Sequence, residues 1–373
     1  MIGAFAFHTT PAIRFEPGGA ARLGEALGPR LGARPLLVTD RGVRGLAAAP
    51  IAGAAGDWRV FDAVEADPSR ATVEAAVAAG RGATGVLGFG GGSPMDVAKL
   101  AALLIGSGED LDGAWGVGNA RGPRLPLALA PTTAGTGSEV TPVAIVTLPG
   151  GEKRGVSSPI LLPDLAFLDP ELTVGLPPAA TAATGIDAMV HAIEAYASKS
   201  PNANPLSRAL AVEALRLLGG AIERAVADGG DRAARAAMLV GATLAGQAFA
   251  NSPVAAVHAL AYPIGGRHHV PHGLSNALVL PHVLRFNAAA AAADYAALAP
   301  HAFPGADPVP DLAEGLAALA ARIGLPARMR EAGVPQADLP AMAAEAMKQT
   351  RLLVNNPRPV TEADALAIYR AAW

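Results

Sequence analysis

Half of the eight histidines in this 373-residue chain fall within one short stretch, VHALAYPIGGRHHVPHG, at positions 257–273. Imidazole is the commonest protein metal ligand and a proton carrier near neutral pH, so His258, His268, His269 and His272 are the first candidates for chemistry. Upstream, TGIDAMVHAIEAY (184–196) places Asp187 and His191 four residues apart. On a helix these positions lie one turn above each other on the same face, so both side chains can reach one divalent ion. Glu194 offers a rival pairing with His191. His258 sits in the apolar segment FANSPVAAVHALAYPIGG, where a charged imidazole is costly and a neutral one is at home. One carboxylate and three imidazoles form a hard-to-borderline donor set suited to Fe(II), Zn(II) or Mn(II), and ligand type alone does not choose among them. His268 and His269 read as rim or surface residues. No H-E-x-x-H is present, which argues against a zincin protease.

A second kind of chemistry is written in GVLGFGGGSPMDVAK (85–99), which joins an apparent strand to an apparent helix. Gly90, Gly91 and Gly92 allow close backbone approach to a phosphate, whose charge is favoured by free N–H groups at a helix start. Ser93 and Asp96 have the spacing of a capping box, with Pro94 at the first helical position. This is neither the common dinucleotide fingerprint nor a P-loop. A second loop, APTTAGTGSEVTP (130–142), also follows an apparent strand and offers hydroxyl and backbone donors where open α/β sheets bind ligands. Together the loops read as a cradle for a phosphate-bearing cofactor. Asp40 ends an earlier strand, where a carboxylate can accept from a ribose diol and repel a 2′-phosphate, favouring NAD over NADP.

These residues need elements to hold them. Up to about residue 150, buried-strand patterns (35–40, 58–64, 83–92, 125–133) alternate with helical ones (20–31, 71–81, 94–105), the grammar of a mostly parallel sheet covered on both faces. After GLPPAA (175–180) long Ala/Leu helical patterns take over, including 209–227, 287–299 and 337–354. The expected organisation is an α/β Rossmann-like NAD-binding domain over 1–178 and an all-helical metal- and substrate-binding domain over 179–373. Charge is sparse at 16% with a net of −3, and no basic run suggests nucleic acid. There are no cysteines, so disulfides and thiolate chemistry are excluded. The start lacks a signal-peptide pattern and no long apolar run suggests a membrane span, so a soluble cytoplasmic protein is expected.

GGGSPMDVAK, PTTAGTGSEVTP, TGIDAMVHAIEAY, and VHALAYPIGG followed by VPHGLSNALVLPHVLRFN closely resemble the iron-dependent (group III) alcohol dehydrogenases. The resemblance runs from about residue 10 to the C-terminus and implies the dehydroquinate synthase-like fold of that family. It implies reversible hydride transfer between a nicotinamide cofactor, NAD or NADP, and a short alcohol or aldehyde, with Fe(II) or Zn(II) held by Asp187, His191, His258 and His272. It places the pyrophosphate on Gly91, Gly92 and Ser93, with Asp96 counted in the same cradle. Asp40 would meet the adenosine ribose, Thr132, Thr133 and Thr141 the nicotinamide side, and Lys153 the cofactor ribose. Many members carry a pocket histidine four residues after the third ligand, where this chain has Tyr262, so Tyr262 joins His258 and His272 as a catalytic candidate. The tail (355–373) is similar to maleylacetate reductases, a branch acting on oxo acids and in several cases metal-free. A dehydroquinate synthase-type lyase ranks lower, because this chain is poor in the Lys/Arg that an anionic substrate needs. The family's habit also implies a homodimer or larger homo-oligomer.

Overall fold

The run Gly85–Gly90 is buried along its whole length, as an inner strand of a sheet covered on both faces must be. In the computed structural model, which describes residues 2–52, 54–149 and 152–373, it is the fourth of nine strands among those residues. Strands β1 (Ile13–Phe15), β2 (Pro35–Val38), β3 (Arg59–Phe61), β4 (Gly85–Gly90), β6 (Leu127–Pro131) and β9 (Leu165–Leu168) form one parallel sheet of order β1-β9-β6-β4-β2-β3. A smaller sheet joins β5 (Gly116–Val117), β8 (Lys153–Ser157) and β7 (Val143–Thr147), with β7 and β8 antiparallel. Helices α1 (Leu23–Leu31), α2 (Arg44–Ala52), α3 (Arg70–Ala79), α4 (Gly92–Ser107) and the short α5 (Leu111–Ala114) accompany the strands. The sheet has apolar clusters on its two faces, one centred on α3 and α4, the other on α1 with Leu37, Leu87 and Phe167.

Two glycines of β4 have steric reasons to be there. A β-carbon on Gly88 would lie 2.6 Å from Leu129 and 2.7 Å from Ala98, so its absence lets α4 pack tightly on the strand. Gly90 holds φ at +146°, a conformation essentially confined to glycine, and turns the chain from strand to helix within two residues. That sharp turn corrects one expectation. The helix begins at Gly92 with Gly91 as its N-cap and no side-chain cap, so Ser93 and Asp96 form no capping box and Pro94 is not the first helical residue.

The remaining chain is helical: α6 (Pro178–Ala197), α7 (Pro205–Gly219), α8 (Ile222–Ala227), α9 (Arg232–Asn251), α10 (Ala256–His268), α11 (His272–Ala302), α12 (Leu312–Arg322), α13 (Leu339–Ala346), α14 (Thr350–Leu353) and α15 (Glu362–Ala372). The single helical patterns read over 209–227 and 337–354 are each broken into shorter helices, the first at Gly219–Gly220. No helix among the described residues is long and apolar enough to cross a membrane.

Contacts divide the chain into two units. One comprises residues His8–Thr133 and Gly137–Gly175, the other residues 2–7, 134–136 and 176–373. Residues 2–7 and 134–136, expected with the α/β part, thus pack with the helical unit.

In the helical unit α6 packs against α7, α9 and α11, and α10 against α11. Gly273, the second residue of α11, fixes one of these contacts, because a β-carbon there would lie 2.3 Å from the Ala183 carbonyl oxygen of α6. Backbone on both sides leaves no flexible atom to yield. Gly273→Ala is therefore expected to destabilise the protein by about 1–3 kcal/mol, the usual cost of overpacking, read as a lower denaturation midpoint.

Candidate metal centre

Three helices converge on one point. α6 brings Asp187 and His191 on one face, α10 brings His258, and α11 opens with His272. One donor atom from each of these residues lies within 4.8 Å of every other. Asp187, His191 and His258 are buried, whereas the His272 side chain is 39% exposed. His272 Nε2 lies 3.6 Å from Asp187 Oδ1, close to the separation of about 3.4 Å for two donors on one tetrahedral ion. His191 is stacked between Phe249 of α9 and His258, with ring centroids 4.3 and 4.7 Å away.

The donor chemistry fits a divalent cation. Burial pushes His191 down to about 3, so its imidazole is neutral as a ligand must be. Burial works against the charge of Asp187, yet its polar surroundings, the Asn276 amide that donates to Oδ1 among them, hold the carboxyl below its ordinary value. Asn276, one turn after His272 on α11, aims Nδ2 at Asp187 Oδ1 (2.6 Å) and lies 3.3 Å from Nε2 of both His258 and His272. A crowd of lone pairs around one amide is a surplus of acceptors that a cation resolves.

Glu194, weighed from the sequence as a rival partner of His191, instead meets His258. Its Oε2 lies 2.7 Å from Nδ1 of that ring, and its Oε1 accepts from Val257 N–H at 2.7 Å. Glu194 and Asn276 are the site residues whose roles spacing did not reveal. Asn276 has a readable signal in its position four residues after His272, and Glu194 in its position three after His191. His269, with φ of +55°, is the left-handed residue that ends α10 and turns the chain toward His272. His268 Nε2 lies 3.4 Å from the Asp338 carboxylate. Tyr262, one turn after His258, stands with its ring centroid 6.0 Å from that of His272.

In the α/β unit the register of β4 with β6 pairs Gly90 with Pro131, which sets the two ligand-type loops side by side. Thr132 N–H donates to Gly90 O at 2.9 Å, and a β-carbon on Gly91 would meet Thr133 at 3.6 Å. Gly91, Gly92, Ser93, Thr132 and Thr133 therefore share one corner at the carboxyl ends of the strands, with the N-terminus of α4 among them. Asp40 uses Oδ1 to accept from Gly42 and Val43 N–H, a turn-forming role, while its Oδ2 is 3.4 Å from a β-carbon built on Gly90. Ser93 Oγ accepts from Asp67 N–H at 3.3 Å, and Asp67 pairs with Lys153 at 2.6 Å, so Lys153 reaches the same corner through Asp67.

Asp96 and Thr141 point inward. Asp96 accepts from Ser138 Oγ (2.7 Å) and from Ile145 N–H (2.9 Å). The fully buried Lys99, passed over in the sequence, donates to Ser138 Oγ, Thr141 Oγ1 and Val143 O at 2.7, 3.2 and 2.8 Å. This network fastens α4 to the loop that follows β6, so the corner is pre-organised from beneath.

A sheet with a glycine-threonine corner and a helical unit with an Asp/His cluster define a class: dehydrogenases that combine a dinucleotide-type fold with a carboxylate-imidazole metal centre. The iron-containing alcohol dehydrogenase model matches residues 10–170, and the model for the C-terminal part of the Fe-containing alcohol dehydrogenases matches residues 181–373. The chain belongs to the iron-containing alcohol dehydrogenase family and is an alcohol/aldehyde oxidoreductase. Long-chain-alcohol dehydrogenase 1 of Geobacillus thermodenitrificans is 42% identical, over 92% of this chain and 91% of that protein. The crystal structure of a 1,3-propanediol oxidoreductase is similar with a TM-score of 0.93 and 34% identity, covering 100% of both chains. A sulfoacetaldehyde reductase from Bifidobacterium kashiwanohense, solved in complex with NAD+, has a TM-score of 0.89 at 28% identity, covering 99% of both chains.

Proposed function

We propose that this protein transfers a hydride between NAD and a short alcohol or its aldehyde, with a divalent metal, iron(II) by family, held by Asp187, His191, His258 and His272. The observation that carries this reading is the convergence of those four donors within 4.8 Å, three of them buried. When bound, the ion supplies Lewis acidity toward the substrate oxygen and the nicotinamide supplies the hydride acceptor. The protein's own part is position and field. Asp187 brings negative charge, and the neutral His191 adds a lone pair without adding charge.

Gly91, Gly92 and Ser93 would take the cofactor's pyrophosphate at the first turn of α4, where unpaired N–H groups favour an anion. Thr132 and Thr133 add donors from the neighbouring loop. Asp40 would accept from the adenosine ribose through Oδ2, since Oδ1 is committed to its own turn. Tyr262 supplies a phenol beside the exposed ligand His272, a group able to hand a proton to water during turnover. The complete four-donor cluster favours the metal-dependent reading over the maleylacetate reductase-like one.

Metal analysis of protein purified without air, paired with an NADH-absorbance screen of alcohols, diols, aldehydes and oxo acids, tests the whole reading. His258→Ala and His272→Ala are expected to lose bound metal and at least about a hundredfold in activity, equivalent to about 2.7 kcal/mol of transition-state stabilisation, while keeping NAD binding. Full activity in metal-stripped wild-type protein would falsify the metal mechanism and point to the oxo-acid branch. Asp40→Asn keeps the turn-forming oxygen and removes the charge. It is expected to shift the NAD/NADP preference toward NADP by roughly tenfold, or about 1.4 kcal/mol. An unchanged ratio of kcat/KM for the two cofactors removes Asp40 from cofactor choice.

A further inference from the structure

We propose that Glu194 is a positioning residue that locks His258 in the tautomer able to bind metal, and so sets the affinity of the cluster for its ion. The proposal rests on reading Asp187, His191, His258 and His272 as the metal ligands. Glu194 is buried on α6, one turn beyond His191, and both of its oxygens are committed to the start of α10. Oε1 accepts from Val257 N–H and Oε2 faces His258 Nδ1, each at 2.7 Å.

An ionised carboxylate only accepts hydrogen bonds, so Nδ1 must carry the proton and donate it. The lone pair is then left on Nε2, the nitrogen that lies 3.3 Å from Asn276 Nδ2 on the cluster side. The same carboxylate serves a second purpose. Val257 is in the first turn of α10, whose N-cap, Ala255, offers no side-chain cap, and first-turn N–H groups lack partners within their own helix. Glu194 thus ties the ring's proton, the ring's orientation and the helix start to one rigid point on the neighbouring helix. Carboxylate partners of this kind raise ligand basicity and fix ring orientation at metal sites.

Glu194→Gln separates this role from simple packing. The two groups facing residue 194 are both donors in the wild-type arrangement, whereas glutamine offers only one acceptor oxygen. With its NH2 toward Val257 N–H, two donors oppose each other. With its NH2 toward His258, Nδ1 must become the acceptor, which moves the ring proton to Nε2 and blocks the metal-facing atom. Either outcome penalises the metal-bound state without changing side-chain volume.

Zn(II) affinity, measured by competition with a fluorescent chelator, is expected to fall by about 10–100-fold in Glu194→Gln, the usual cost of losing such a partner. NAD binding by fluorescence should be unchanged. If wild-type protein takes up no metal, the underlying reading of the cluster fails. If wild-type binds tightly and Glu194→Gln binds equally tightly, the cluster stands and the role of Glu194 is overturned. Nitrogen-15 NMR of histidine-labelled, metal-free wild-type protein gives a readout that needs no folded variant at position 194. The His258 signals, assigned by their loss in a His258→Gln protein, should show the Nδ1–H tautomer, and an Nε2–H tautomer would overturn the proposal.

Discussion

The helical unit is organised around a buried negative charge. Asp187 lies among apolar helices, where an isolated carboxylate costs several kcal/mol, and each neighbour of the cluster bears on that cost. Asn276 donates to it, His191 and His258 surround it, and Glu194 adds a second carboxylate behind His258. Each carboxylate brings one negative charge, and imidazoles in their ligand form bring none. A dication balances the group, whereas a proton shared among the rings balances only part of it. The same arithmetic explains why the neighbours are rings and an amide rather than lysines or arginines, whose charge would satisfy Asp187 outright and leave nothing for a metal to do.

The α/β unit meets a different requirement of the proposed function, that of bringing backbone close to a cofactor's phosphates. Gly88 lets α4 lie against the sheet, Gly90 supplies a conformation other residues avoid, and together they aim the first turn of α4 at the end of β4. Such a turn has little stiffness of its own. Lys99 and Asp96 supply it from below by tying α4 to Ser138, Thr141, Val143 and Ile145. Asp96 and Thr141 spend side-chain atoms on this network, which braces the two loops at the ends of β4 and β6.

Much of this was legible in residue order because its causes are local. The spacing of Asp187 and His191 becomes a shared face through helix geometry, and a buried parallel strand must be apolar throughout, so 85–90 announces itself. What stayed hidden depends on tertiary contact. Ser93 has the residue type and spacing of a cap, but Gly90 turns the chain so sharply that the helix starts before Ser93 arrives. β8 reads KRGVS, with charge and glycine where a strand pattern wants alternation, and its pairing with β7 on one side and β5 on the other makes it a strand. Glu194 has the same helical proximity to His191 as a ligand would. Only the tertiary placement of the start of α10 beside Glu194 decides that its oxygens meet His258 Nδ1 and Val257 N–H.

The burial of the four donors is uneven, and the unevenness bears on function. A structural metal site is closed on all sides, whereas a catalytic one keeps a position for substrate. Asp187, His191 and His258 are buried among the helices, but His272 stands at the first residue of α11, just after the turn made by His269, with 39% of its side chain exposed. Tyr262 flanks that same side, half-buried, with its ring tilted 45° to that of His272. The open edge of the cluster is therefore formed by His272 with Tyr262 beside it, the two residues proposed above to face substrate and water. On the proposed function, the three buried donors would hold charge and geometry constant behind them, the division of labour expected when a metal centre must both persist and turn over.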